Sequence, residues 1–313
     1  MALTLSNSNY NGEVLANLYK VLGVGNEVVS KGAAKLITDI STKMALPRLS
    51  QTADPIDDYV QGSPTSDTAT TSYAERELVM GKGTVYEEFV PTTFHDIWDK
   101  WKSNGDFTNL ELNAELLNAI IDLYRNGIGT QMAKLFWQGD NDLAAHNPLN
   151  MFDGIVTRAK LDANVIKPTP AGNITDQSFV EILAACWAAI PDKYIDDPDF
   201  VLHVNTTDWK TMQVGNTKLK EAFTGVFGMG METMYNTKKI KHFQGMPRHT
   251  VVGARVTGGD DSNLNLGVWV DPDSESVIVD KVANNSREWF IRIDFKADAN
   301  YRYSEDLLLY TPV

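Results

Sequence analysis

Apolar residues recur three and four positions apart through residues 12–43: Val14, Leu15, Leu18, Val21 and Leu22, then Val28, Val29, Leu36 and Ile40. This spacing predicts helix, split in two by Gly23 and Gly25. The pattern then stops. Between Val60 and Tyr73 there is no large apolar side chain, and a run this polar cannot offset its own ordering entropy by burial. ELVMGKGTVYEEFV (77–90) follows closely and reads as two strands joined by a hairpin turn at Gly81-Lys82-Gly83.

The longest predicted element begins at Thr108, which stands three residues before Glu111 in the spacing of a capping box. Leu112, Leu116, Ile120, Tyr124, Ile128, Met132 and Leu135 carry a helical stripe on to about Gln138. A helix of roughly thirty residues is about 45 Å long, more than a small domain needs. FDGIVTRA (152–159) follows it. A second helix opens near Thr175 or Asp176, buries Phe179, Ile182, Leu183, Cys186, Trp187 and Ile190, and is stopped by Pro191. An acidic turn, DKYIDDPD (192–199), leads into FVLHVN (200–205), which reads as a buried strand, and TTDWKTM predicts a helix from about Thr207. The last third is β-rich: HTVVGARV (249–256), NLGVWV (265–270), SVIVDKV (276–282), WFIRIDFKAD (289–298) and LLLYT (307–311), with turns at GGDD and DPDS. The fold class is α+β, without an internal repeat.

The 313 residues carry 28 basic and 41 acidic side chains, a net charge of −13. That balance argues against binding the phosphate backbone, which needs clustered cations. The sign also changes along the chain. Up to residue 50, Lys20, Lys31, Lys35, Lys43 and Arg48 outnumber Glu13, Glu27 and Asp39 for a net of +2. Over residues 51–90, eight acids face only Arg76 and Lys82, a net of −6. Cys186 is the only cysteine, in the run ILAACWAAI (182–190), so it forms no intrachain disulfide and reads as a core thiol. That run is too short to cross a bilayer, and MALTLSNSNYNGE shows no signal-peptide pattern. A soluble protein made in a reducing cytoplasm is expected.

Candidate chemistry is sparse. His95, His146, His203, His242 and His249 form no metal-binding pair, and neither a G-x-S-x-G elbow nor a phosphate loop occurs. His203 lies on a predicted strand and reads as structural. Asp192, Asp196, Asp197 and Asp199 lack the glycine and terminal glutamate of a calcium loop and read as a solvated turn. GVFGMGM (225–231) follows no clear strand and reads as a loop; Trp98 and Trp101, with His95, read as core. The sequence offers no catalytic, cofactor-binding or metal site, and no cofactor is expected.

The order of parts resembles the major capsid protein of tailed bacteriophages, with its Hong Kong ninety-seven-type fold. The resemblance spans essentially the whole chain. It rests on the long helix at 108–138 followed by FDGIVTRA, on SFVEILAACWAAIPDKYIDDPDFVLHVNTTDW (178–209), on HFQGMPRHTVVG (242–253), and on the strands returning at 289–310. It implies an N-arm at 1–48, an extended E-loop hairpin at 49–95, and a P-domain with its sheet at 96–175, with 108–138 as spine helix. An A-domain at 176–282 and P-domain return strands at 283–313 complete it.

The resemblance also implies a structural subunit, not an enzyme. Copies of it would assemble in the host bacterial cytoplasm into hexamers and pentamers of an icosahedral virion capsid around double-stranded DNA. Partners would be a separate scaffolding protein, a portal and decoration proteins, with no membrane. The E-loop would lie across the neighbouring subunit, so that residues 60–90 are mobile in the free chain and ordered in the shell. Some family members cross-link an E-loop lysine to a neighbour's asparagine; Lys82 and Asn284 or Asn285 are the positions to compare, with an ordinary turn lysine the preferred reading. An encapsulin-like nanocompartment shell is the alternative, and an α+β enzyme with an unrecognised site stands behind it.

Overall fold

The computed structural model describes residues 26–38, 40–51, 71–90, 114–169, 172–222, 234–259, 261–269, 277–283 and 288–312. Asn26 caps a one-turn helix, α1 (Glu27–Ser30), its Oδ1 accepting from the Val28 N–H at 3.0 Å. Gly32, at φ +63°, ends it: Ala33 N–H donates to Val28 O and Gly32 N–H to Val29 O, the paired bonds of a left-handed helix stop. Strands β1 (Lys35–Ile37) and β2 (Lys43–Gln51) follow. The helix predicted through residue 43 is therefore corrected to a single turn. Leu36 and Ile40 owe their spacing to two packing sites, one beside β-strand partners and one under a β-ribbon. The first part of that prediction, residues 12–25, lies outside the described residues.

Strands β3 (Thr71–Val79) and β4 (Gly81–Phe89) form one extended run, but they do not pair with each other. β3 pairs antiparallel with β2 over nine positions, Lys43↔Val79 to Gln51↔Thr71, making a two-stranded ribbon. The hairpin predicted at Gly81-Lys82-Gly83 is thus wrong in its strands. Those glycines answer to close approach, not to a turn: a Cβ at Gly81 would stand 2.3 Å from Met151 O.

Helix α2 (Ala114–Gln138) ends where the apolar stripe predicts, while Thr108 and Glu111 lie outside the described residues. It is followed by α3 (Ile155–Leu161), α4 (Phe179–Ala188), β5 (Phe200–Asn205) and α5 (Thr206–Ala222). The predictions for α4, β5 and α5 hold. Asn205 Oδ1 accepts from Thr207 N–H at 2.7 Å, placing the start of α5 at the end of β5. Strands β6 (Met234–Tyr235), β7 (Lys238–Phe243), β8 (Val251–Arg255), β9 (Leu264–Trp269), β10 (Val277–Lys281), β11 (Trp289–Tyr301) and β12 (Leu308–Tyr310) complete the fold. β6 and β7 were not expected.

The main sheet is organised on β11, whose 13 residues pair on one side with β4 and on the other with β10 and then β9; β1 adds to β9 in parallel. Leu264, Leu266 and Val268 of β9 and Ile291, Ile293, Phe295, Ala297, Ala299 and Tyr301 of β11 all face one core, as a two-residue period requires. The end of α2 (Ile128, Met132, Leu135, Phe136, Trp137) and α3 (Ile155, Val156, Ala159) cover it.

The second sheet runs β12-β8-β5-β7-β6. Phe200, Leu202 and Val204 of β5 pack on Phe179, Ile182, Leu183 and Cys186 of α4. On the opposite face His203 lies among Trp137 and Phe243, each ring pair 5.6 Å apart, so β5 is buried on both sides. The expected boundary at residue 282 does not separate the sheets: β9 and β10 belong to the main sheet and β12 to the second.

Candidate assembly surface

The β2–β3 ribbon has two unlike faces. One bears Leu46 and Leu78, both buried over Ile40, with Ile37 and Met80 at its margin. Arg48 and Arg76 share this face by register, since Leu46 stands opposite Arg76 and Arg48 opposite Ala74. The outer face carries Leu49 opposite Tyr73, 66% and 61% exposed, with Val79, Glu75 and Glu77 also exposed. Lys43 Nζ pairs with Glu77 at 3.0 Å on this face.

The inner face is fastened to the body of the same chain. Arg76 pairs with Asp162 at the end of α3, and its guanidinium lies 4.3 Å from the centre of the Tyr301 ring. The Tyr301 hydroxyl donates to the same carboxylate at 2.8 Å. Burial by itself would raise Asp162, but the Asn164 N–H, Tyr301 and Arg76 outweigh it and hold the carboxyl below the usual aspartate value. Arg48 pairs with Glu305.

Beyond Ala297, where the pairing of β4 ends, β11 side chains replace the backbone ladder. Val79 N–H donates to Asp298 Oδ2 at 2.7 Å, and Asn300 Nδ2 donates to Glu77 O at 2.7 Å. Arg158 reaches the other oxygen of Asp298 at 2.7 Å. Burial pushes the Asp298 carboxyl up to about 6, with Arg158 and the Val79 and Ala299 N–H groups opposing and Asp153 adding to the rise.

Part of the segment expected to lie across a neighbour is thus paired within this chain, β3 with β2 and β4 with β11. From 71 to 89 the chain forms strands tied to its own subunit, because β2 supplies a backbone partner and α3 and β11 supply side chains of matching charge. Residues 52–70, which hold most of the polar run, lie outside the described residues.

The residues singled out in the sequence do not converge. His203 is fully buried, its ring nitrogen Nδ1 3.0 Å from Val252 O, and burial lowers it to about 3. His146 and His249 hold positive φ of 67° and 58°, and His242 stacks on Trp209 at 6.2 Å. Cys186 is buried, which pushes its thiol up to about 12. The acidic turn is held by cations of this chain. Arg255 Nε lies 2.7 Å from Asp197, Lys193 pairs with Asp306 at 2.6 Å, and buried Lys238 donates to the carbonyls of Tyr194 and Asp197.

Among the described residues no three metal-ligating side chains come together, and no helix is long and apolar enough to cross a membrane. Lys82 stands near the start of β4, exposed and opposite Lys296, not at a hairpin tip. His95, Trp98, Trp101, residues 225–231, Asn284 and Asn285 lie outside the described residues. The sequence reading missed the pair Leu49 and Tyr73. Their juxtaposition depends on the ribbon register, which no local pattern marks.

Set against solved structures, the chain matches capsid proteins from end to end. A chain of the satellite phage P4 procapsid aligns with a TM-score of 0.58 at 12% identity, covering 96% of this chain and 99% of that one. The capsid of a native GTA particle gives 0.57 at 11% identity, covering 100% and 96%. The chain has the Hong Kong ninety-seven-type capsid fold. A structure from Mycobacterium phage Adephagia agrees, with a TM-score of 0.55 at 15% identity over 92% and 90% of the two chains. No family model matches the sequence, and no curated protein matches it either. At such identities the capsid fold is visible in the backbone and not in the residues that build it.

Proposed function

We propose that this protein is a major capsid protein, a structural subunit that self-assembles into hexamers and pentamers of an icosahedral phage head enclosing double-stranded DNA. The observation that carries the reading is the whole-chain correspondence with capsid subunits, in which nearly all of both chains is matched. A subunit so built needs surfaces that are worth burying against copies of itself. The outer face of the ribbon, with Leu49 beside Tyr73, supplies one. In this reading the chain divides into an N-arm at 1–48, an E-loop at 49–95, a P-domain at 96–175 with its return at 283–313, and an A-domain at 176–282 that lends β9 and β10 to the main sheet.

The net charge of −13 suits a wall around packed DNA, since like charge keeps phosphate from binding tightly. A separate scaffolding protein, a portal and decoration proteins are the partners proposed, assembly taking place in the host bacterial cytoplasm.

Expression of the full chain, followed by electron microscopy, tests the proposal. Closed particles of uniform size are expected. A strictly monomeric product under all assembly conditions, with scaffold co-expressed, overturns it. Particles filled with one cargo protein in place of DNA give the encapsulin-like shell instead.

A further inference from the structure

Among the described residues, four polar side-chain ties join the ribbon to the body of the chain. Asp298 takes the Val79 N–H and Asn300 gives to Glu77 O, each at 2.7 Å. Arg76 meets Asp162 and the Tyr301 ring, and Arg48 meets Glu305. A backbone ladder could have continued here, because β3 runs on into β4 without a break in extension except at Met80, whose N–H donates to Thr42 O at 3.1 Å. It does not continue. β4 is joined to β11 by nine register pairs and β3 by none.

The difference matters physically. Ladder bonds are made and lost together with the strands that carry them, whereas a side-chain tie can be lost by one rotamer change that leaves both strands intact. Strand β3 is also held at its base by apolar contact, through Leu78 against Leu46 and Ile40. The inner face is thus apolar at the base and ionic further out.

We propose that these four ties form an intrachain clasp that holds the β2–β3 ribbon docked on its own subunit in the unassembled chain, and that the clasp opens without disturbing the main sheet. The clasp is a property of the single chain and does not depend on the capsid reading. In a capsid subunit its consequence is that the outer face, with Leu49 and Tyr73, is presented in a set pose, so less ordering entropy is lost when a partner covers it.

Hydrogen exchange on the full-length, unassembled chain tests this, read at the amides of residues 43–51 and 71–79 and, as an internal reference, those of β9 and β11. In the parent protein the ribbon amides are expected to be protected at least about a hundredfold over an unstructured peptide. Asn300→Ala combined with Arg76→Met is expected to speed their exchange about tenfold or more while β9 and β11 keep their protection.

Ribbon amides that exchange as unstructured peptide in the parent overturn the proposal. So does a variant whose ribbon exchanges at the parent rate. If the double variant also loses protection in β9 and β11 it has unfolded; Arg48→Met, which breaks one tie to the half-exposed Glu305, then carries the test with the same two outcomes. Failure of the chain to form particles bears on the capsid reading and leaves this result untouched.

Discussion

Leu49 and Tyr73 stand directly opposite each other across the ribbon, and two-thirds of each is open to solvent. A cross-strand pair of this kind supports its own hairpin by a few tenths of a kcal/mol, up to about 1. Burying both against a partner contributes more, about 1.5–3 kcal/mol for a large apolar side chain. Leu49→Ser with Tyr73→Ser is therefore expected to change the unfolding free energy of the isolated chain by less than about 1 kcal/mol. The same variant should raise the concentration at which particles form by at least about tenfold. Light scattering across a dilution series, beside a denaturant titration, reads both; equal effects on the two would remove the ribbon face from the interface.

Two buried groups give opposite pH dependences. Asp298 sits at about 6, above the ordinary aspartate value of 3.8, so the folded chain binds this proton more tightly than the unfolded chain. Its contribution to stability is largest below 3.8 and is lost as pH rises through about 6. His203 sits at about 3, below 6.5, so the unfolded chain is protonated first and stability falls as pH drops below 6.5. Thermal midpoints between about pH 7 and pH 4.5 should fall more steeply for Asp298→Asn than for the parent, and less steeply for His203→Asn. Parallel curves for all three proteins would mean that neither group titrates differently on folding.

Gly81 is expected to tolerate no side chain. Its Cβ would stand 2.3 Å from the Met151 carbonyl oxygen, a backbone atom that cannot rotate away. Gly81→Ala should cost about 2 kcal/mol or more, within the range for overpacked sites. Urea denaturation checks it, and a cost below about 0.5 kcal/mol would show that the loop at Met151 yields.

Lys238 joins strand β7 to the acidic turn from a fully buried position. Lys238→Met keeps an unbranched apolar side chain and removes the Nζ that lies 5.8 Å from the centre of the Phe200 ring and donates to the Tyr194 and Asp197 carbonyls. A loss of about 1–3 kcal/mol is expected from the two charge-assisted hydrogen bonds, the carbonyls keeping the Asp197 and Phe200 N–H groups as partners. The change should be localised: amide exchange in 192–199 should accelerate while α4 stays protected.

The parts of the fold that could be read from the sequence are those fixed by local pattern. Helix α4 shows an apolar face closed by Pro191, and β5 is six residues of strand between an acidic turn and a capping Asn205. Strand β7 escaped notice because KKIKHF looks solvated, yet Lys238 is buried by a partner 44 residues away in sequence. The turn at Gly81-Lys82-Gly83 was misread because glycine marks both turns and close approach, and only Met151 decides between them. The membership of β9 and β12 in different sheets rests on pairings between distant strands, which no local signal encodes. The outer ribbon face was illegible for the same reason: Leu49 and Tyr73 become neighbours only through the nine-position register.

The continuity of β3 into β4 sets how the molecule carries force. A neighbour that tugs on the ribbon along its length loads the β4–β11 ladder parallel to its strands, across bonds that lie perpendicular to the pull. In that direction the bonds resist in parallel and cannot be peeled one at a time. Tension arriving at the ribbon is therefore delivered into the main sheet in shear, the loading a β-ladder withstands best.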